Sequence, residues 1–431
     1  MMQKSRKNFS LASVLPALVF LAAVGDKPAI LAGENIAAPE NEFPVLQEGR
    51  QALLDRLRYR DEKWMPVFRS RISRLERRPL AVRQKMELLI SYFQLAAINV
   101  EKVYSLGLTR RFRFEKNEAE YRKNIEKAKQ AAQGLIGDPD LPPHRRALAY
   151  LVLGGAVGYI GKYEFGVGNI FKAFVNGFRA DGYLEKALIL APGLADAHIG
   201  LGMYRYVNSR LGGVGNLLMQ GGRDRRQEGL AHLRRAINSR SFASPVAYQA
   251  LILFYISEQL NGKNRSLPAR HPLSPETCRA NALKWIEEFE NRYFKSPAPD
   301  ADFIGNKELE VMKAVHYSIN GDYLRARGAY ENALRIMTFL REKKGYRFNP
   351  RLIRTVRAGI EFCDLMLLPP AAGQSPSVCA RIDRGLEFMG SGKMMIESDF
   401  VRLGGDLQEV YRGKLADVAG KLACGERGRA G

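Results

Sequence analysis

The chain has 431 residues, 46% hydrophobic and 26% charged, which is enough to bury a core and too apolar for wholesale disorder. Its 67 Lys and Arg against 45 Asp and Glu give a formal charge of +22, which points to anionic surroundings. Five His and four Cys, widely scattered, argue against a multi-ligand metal cluster, and the length allows up to three domains or one repeat array.

In chain order, Lys4, Arg6 and Lys7 precede an apolar run from Phe9 to Val24, and Ala23-Val24-Gly25 supplies small residues for a peptidase. These are the three regions of a secretory signal. The run is shorter than the roughly 20 residues of a spanning helix. A cleaved signal is therefore expected over 1–25, and with it an exported protein, periplasmic or associated with an outer membrane. An uncleaved anchor is the rival reading. Residues 26–46, with three Pro and one Gly, read as a linker.

From 47 to 142 the pattern is helical and basic, with Leu53, Leu54, Leu57 and then Met86, Leu89, Tyr92, Phe93 at three- and four-residue spacing. Gly137-Asp138-Pro139-Asp140 ends it, and Pro142-Pro143 opens a new helix. Between 143 and 345, small residues recur seven apart with a bulky one between: Ala180, Leu184, Ala187; then Gly229, Leu233, Ala236; then Ala326, Tyr330, Ala333. Seven residues are two helical turns, so each trio lies on one stripe where a neighbouring helix approaches closely. Three further helices are expected over 346–431, at Pro350–Leu368, Ser377–Met389 and Asp406–Leu422, capping a stack.

These trios resemble the tetratricopeptide repeat (TPR). Ala180, Ala187, Leu188 and Pro192 match its second helix and closing Pro, and Leu201-Gly202 matches the next first helix. A second unit runs Ala314, Tyr317, Gly321-Asp322-Tyr323, Ala326, Tyr330, Ala333, Leu334, without the closing Pro. The spacing departs from the family's period. A degenerate unit around Pro275–Phe294 fills one gap, and a Gly-rich insertion at Ser209–Gly222 explains another. The segment Gly200–Gly229 is similar to a branch of exported bacterial repeat proteins and distantly to the eukaryotic tetratricopeptide-39 group. The resemblance implies an all-α, helical-hairpin α-solenoid with a helical N-terminal region and a C-terminal cap. It also implies a protein- or peptide-binding scaffold whose first-helix residues Tyr204, Arg205, His316 and Tyr317 make contacts.

Two features stand out from the residues themselves. Phe171, Phe174 and Phe178 fall on one helical face beside Lys172 and Arg179, which suits a peptide groove or lipid head groups; packing of a long helix is the plain alternative. Arg110/Arg111/Arg113 and Arg223/Arg225/Arg226 are the clearest of several basic clusters. Export removes nucleic acid as a partner and leaves anionic lipid, glycan or cell-wall polymer, or an acidic protein. A solvated basic face is the plain alternative. Four Cys in an oxidising compartment allow two bridges in three connectivities. Cys363–Cys379 is the pairing favoured, which would leave Cys278 and Cys424 for the other, with four buried free thiols as the alternative. No His lies within five residues of another, no C-x-x-C or G-x-S-x-G occurs, and Gly390–Lys393 lacks the leading Gly of a phosphate loop. No cofactor, no metal and no enzymatic activity are expected.

Overall fold

The computed structural model describes residues 42–212, 216, 221–239, 241–295, 303–369, 376–390, 394–395, 403–422 and 424. The expected signal, most of the linker and half of the Gly-rich insertion lie outside them. Among the described residues there are fifteen α-helices and no strand: α1 Pro44–Leu57, α2 Trp64–Glu76, α3 Val82–Ser105, α4 Glu115–Ile136, α5 Pro143–Gly166, α6 Ile170–Leu190, α7 Ala197–Leu211, α8 Arg226–Asn238, α9 Ser244–Leu260, α10 Pro275–Tyr293, α11 Lys307–Ile319, α12 Tyr323–Lys344, α13 Pro350–Met366, α14 Pro376–Gly390 and α15 Leu403–Lys421. The last residues of the expected linker already form the first turn of α1.

Local chemistry sets many of these ends. Proline stands in the first turn of α1, α5, α9, α10 and α13, where its missing N–H costs nothing. Ser274, Asn306, Asp322 and Asn349 cap α10 to α13 by accepting backbone N–H groups, and Gly345 closes α12 in the left-handed conformation at φ 65°.

Consecutive helices pack as antiparallel neighbours in the pairs α3/α4, α5/α6, α7/α8, α9/α10 and α11/α12. Each first helix also touches the next first helix, from α3 through α5, α7, α9 and α11 to α13. The small–large–small stripes make these contacts. Ala180, Leu184, Ala187, Leu233, Ala236, Ala326, Tyr330 and Ala333 are all buried. At the α7/α8 crossing a Cβ on Gly202 would stand 2.8 Å from the Gly229 carbonyl oxygen, so only glycine permits that approach.

The ends of the chain do not run out into solvent. The turn after α1 pivots at Tyr59, whose φ of 57° is the one positive value at a non-glycine among the described residues. It brings Leu57–Tyr59 and the end of α3 against the start of α11. There the fully buried Lys307 donates to the Ser105 carbonyl (2.8 Å) and pairs with Glu308 (3.0 Å). Glu308 accepts from the Tyr59 hydroxyl (2.9 Å) and the Ser105 hydroxyl (2.7 Å). Asn306 reaches the Leu57 carbonyl, and Asn349 donates to the Leu106 and Gly107 carbonyls. Burial pushes the Glu308 carboxyl up, but Lys307, Arg56 and the Ser105 hydroxyl overcome it and bring it to about 2.

At the other end, α15 lies across the first helices α9, α11 and α13. Leu403, Leu407, Tyr411 and Leu415, four apart and buried, form its inner stripe. The Tyr411 ring stacks on Phe362 with centroids 3.8 Å apart, and its hydroxyl meets those of Ser318 and Tyr330. The three C-terminal helices therefore do more than close an end, because α15 covers part of the first-helix row.

The favoured disulfide needs correction. The bridge joins Cys379 of α14 to Cys424 just beyond α15, with Cα atoms 5.3 Å apart. Cys363 is a fully buried thiol on the core face of α13, and Cys278 is likewise free and buried. Burial raises both thiols to about 12, so they pack as small apolar groups.

Two stability tests follow from this architecture. Glu308→Ala leaves the Lys307 charge buried without its carboxylate, and the urea midpoint should fall by an amount equivalent to about 3–5 kcal/mol. The Cys379–Cys424 bridge closes 45 residues of sequence, so Cys424→Ser should cost about 2–4 kcal/mol. Added reductant should lower the unfolding temperature of the parent chain and leave that of the variant unchanged.

Candidate binding surfaces

Arg205, expected to be an open contact on a first helix, is 5% exposed. From α7 its guanidinium pairs with Asp181 and Glu185 of α6 and with Glu228 of α8. It also lies 2.8 Å from Nε2 of His232. An arginine only donates, so that nitrogen accepts; Nδ1 of His232 then carries the proton and donates it to Nδ1 of His198, 2.8 Å away. Burial, with the nearby Arg205 and, for His198, Arg235, pushes both imidazoles down to about 4 and keeps them neutral. Burial raises Asp181 to about 6 against the pull of Arg205, whereas the hydrogen bond from Arg225 takes Glu228 down to about 2. This is a polar clasp joining three helices, not an open site. Its carboxylates and imidazoles come from three helices, so nothing in their sequence spacing announces it.

His316 is 3% exposed on α11, and Tyr317 is half-buried beside it, ring centroids 5.6 Å apart. Tyr204 is half-buried too, its ring filling the space left by Gly177, where a Cβ would stand 2.7 Å away. Of the four expected contact residues, Arg205 and His316 are therefore packing residues and only the two tyrosines keep partial exposure. The physical reason is that first-helix positions face the helices on either side, and α15 covers the row from α9 to α13.

The aromatic segment behaves otherwise. All three phenylalanines lie in one helix, α6, which begins at Ile170 after α5 ends at Gly166 and Gly168 turns the chain at φ 85°. Phe171 is 72% exposed and Phe178 43%, with Ile170 beside them and Phe174 half-buried on the same face. Lys172 and Arg179 are exposed alongside, and no acidic residue occurs between Phe165 and Ala180. The fully buried side chains of this helix, Ala180, Leu184 and Ala187, lie in its second half, while its first half packs through its backbone side, where Ala173 meets Gly161 of α5 and Gly177 meets the Tyr204 ring.

Half of the arginines in the two basic clusters are paired with carboxylates. Arg113 pairs with Glu118, whose carboxyl burial would raise but which Arg113, the Phe114 N–H and the Tyr163 hydroxyl bring down to about 2. Arg225 pairs with Glu228, and Arg226 with Asp224 and Glu258. The two clusters thus leave the adjacent Arg110 and Arg111, and Arg223, as exposed cations.

Sequence inspection missed a cleft of about 320 Å³ between α1 and the α9/α10 pair. It is lined by Arg50, Arg58, Arg60 and Arg292, with Asp55 as its carboxylate. Arg58 and Arg60 belong to a visible basic run, but Arg292 lies far along the chain and only folding brings it there. Among the described residues no three His, Cys, Asp or Glu side chains gather as a metal site, and no helix is long and apolar enough to cross a membrane. No family model matches the chain, and no curated protein or solved structure matches it.

The buried imidazoles give stability a pH dependence of known sign. Between about pH 6.5 and pH 4 the unfolded chain protonates His198, His232 and His316, whereas the folded chain, with all three pushed down to about 4, does not. Stability is therefore present above pH 6.5 and lost on acidification, on the order of 1–2 kcal/mol per histidine at pH 5. Asp181, raised to about 6 from 3.8, takes its proton first in the folded state and offsets part of this. The urea midpoint should drop from pH 7 to pH 5, and by less in a His316→Leu variant compared with itself.

Proposed function

We propose that the protein is a non-enzymatic binding scaffold of the cell envelope, an exported α-solenoid of stacked TPR-like hairpins that takes a protein or peptide partner. The stacking reading draws support from the ladder of contacts between successive first helices and from the buried small–large–small stripes on the second helices. The observation that carries the binding reading is the outward face of α6. Three of the seven large apolar side chains left exposed among the described residues, Ile170, Phe171 and Phe178, fall within nine positions there. A contiguous apolar patch of this kind marks an interaction site, whereas scattered single residues do not. The partner surface is taken to be α6 instead of the first-helix row, part of which α15 covers, from α9 to α13.

A second reading has its own observation. Lys172 and Arg179 flank the aromatic face, with no acid between Phe165 and Ala180, and suit an anionic lipid or glycan. Salt separates the two, because exposed charge pairs are screened within about 10 Å at 0.1 M salt while apolar burial is not.

The test is recovery of partners from envelope extract by the tagged chain at low and high salt, alongside Phe171→Ser/Phe178→Ser. Each buried Phe contributes roughly 1.5–3 kcal/mol, so the double variant should lose at least about ten-fold in affinity. A stoichiometric protein that survives high salt and is lost with the variant supports the scaffold. Recovery of lipid or polymer alone, released as salt rises, replaces it with the second reading.

A further inference from the structure

The cleft between α1 and the α9/α10 pair differs from the α6 face in position and chemistry. Among the described residues the lining carries four guanidinium groups, Arg58 and Arg292 among them, and one carboxylate, Asp55. That carboxylate is 1% exposed and already saturated, accepting from Trp64 (2.7 Å), Lys63 (2.8 Å), Arg60 (3.3 Å) and Gln51 (3.3 Å). Arg58 is fixed by neutral groups only: it donates to the Tyr293 carbonyl at 3.2 Å and lies over the Phe303 ring. Arg292 likewise donates to the Tyr248 hydroxyl at 3.3 Å and lies over the Tyr248 and Tyr293 rings. Glu288 accepts from the Tyr248 hydroxyl and favours the charged form of Arg292 from nearby without an ion-pair contact to it. Among the described residues neither Arg58 nor Arg292 forms an ion pair, yet both are held in place around the same cavity. Such an arrangement preorganises guanidinium forks, whose geometry matches the paired oxygens of phosphate or carboxylate.

We infer that this cleft is a binding site for a small oxyanion, a phosphate monoester or a dicarboxylate, carried on an apolar body. The oxyanion meets Arg58 and Arg292. The body meets the apolar part of the wall, which includes Leu54, Phe242 and Pro245. A volume of about 320 Å³ is the space of roughly ten liquid waters, so the ligand has on the order of ten non-hydrogen atoms. This site does not depend on the scaffold reading, and its test is separate from that of α6.

Phenyl phosphate and phthalate are the probes, titrated calorimetrically into the whole chain at about 20 mM and about 300 mM salt. Saturable one-to-one binding of either at low salt, weakened as salt rises, is expected; the probe that binds better identifies phosphate or carboxylate as the group. Arg58→Met/Arg292→Met should weaken binding at least about ten-fold, since hydrogen bonds to charged groups contribute about 1.5–3 kcal/mol. Arg223→Met, which removes an exposed charge elsewhere, should not. Arg292→Lys keeps the charge but loses the fork at an exposed helix end, and it should weaken binding in a chain with an unchanged urea midpoint. Absence of saturable binding by both probes overturns the assignment. So does equal affinity in the Arg58/Arg292 variant, or an equal loss in Arg223→Met.

Discussion

Lys307 is an ammonium group with no exposure at all, and that one constraint organises the fold around it. A charge so placed needs a carboxylate and further acceptors, because desolvation costs several kcal/mol unless the geometry is right. Glu308 comes from the same helix, but Ser105 and Tyr59 arrive from α3 and from the turn after α1. Satisfying the pair therefore requires the amino-terminal helices to meet α11. Asn306 and Asn349 extend the same seam by capping α11 and α13 while bonding to carbonyls of the amino-terminal part. One set of polar groups thus starts two helices and closes the chain against itself.

The consequence reaches the binding surfaces. A ladder of helix pairs leaves its first-helix row uncovered only if nothing else in the chain has an apolar stripe to bury there. Here α15 has such a stripe, with Leu403, Leu407, Tyr411 and Leu415 at four-residue spacing, and it is laid across α9, α11 and α13. Stacking of Tyr411 on Phe362 and the bond to Ser318 make that cover part of the core. The bridge from Cys379 to Cys424 ties the far end of the same helix to α14. Surfaces free for partners then lie elsewhere, at the outward face of α6 and in the cleft beside α1.

Charge follows a similar logic. The sequence shows arginines in runs, and a run reads as a patch. In the folded chain Arg113, Arg225 and Arg226 each find a carboxylate. Arg205 finds three, with an imidazole as a fourth acceptor. Arg58 and Arg292, one of them outside every visible run, are the guanidiniums held by neutral acceptors around a cavity. Surplus charge is therefore concentrated where tertiary contacts leave it, which local density does not foretell.

What the sequence determined by itself is the set of helices and their close crossings. The periodic apolar positions, first-turn prolines and capping Asn, Asp and Ser act within one or two turns, and a glycine or alanine seven residues from its partner marks the same stripe in any context. That is why the elements expected at Pro275–Phe294 and Pro350–Leu368 were legible to within two residues, and why Ala180, Gly229 and Ala326 lie at packed contacts. Only the tertiary structure decided exposure, pairing and disulfide partner. Arg205 and His316 look like contact residues until flanking helices bury them, and Cys363 looks closer to Cys379 until α13 turns it into the core. These outcomes depend on which distant element covers a given face, and a one-dimensional spacing carries no information about that.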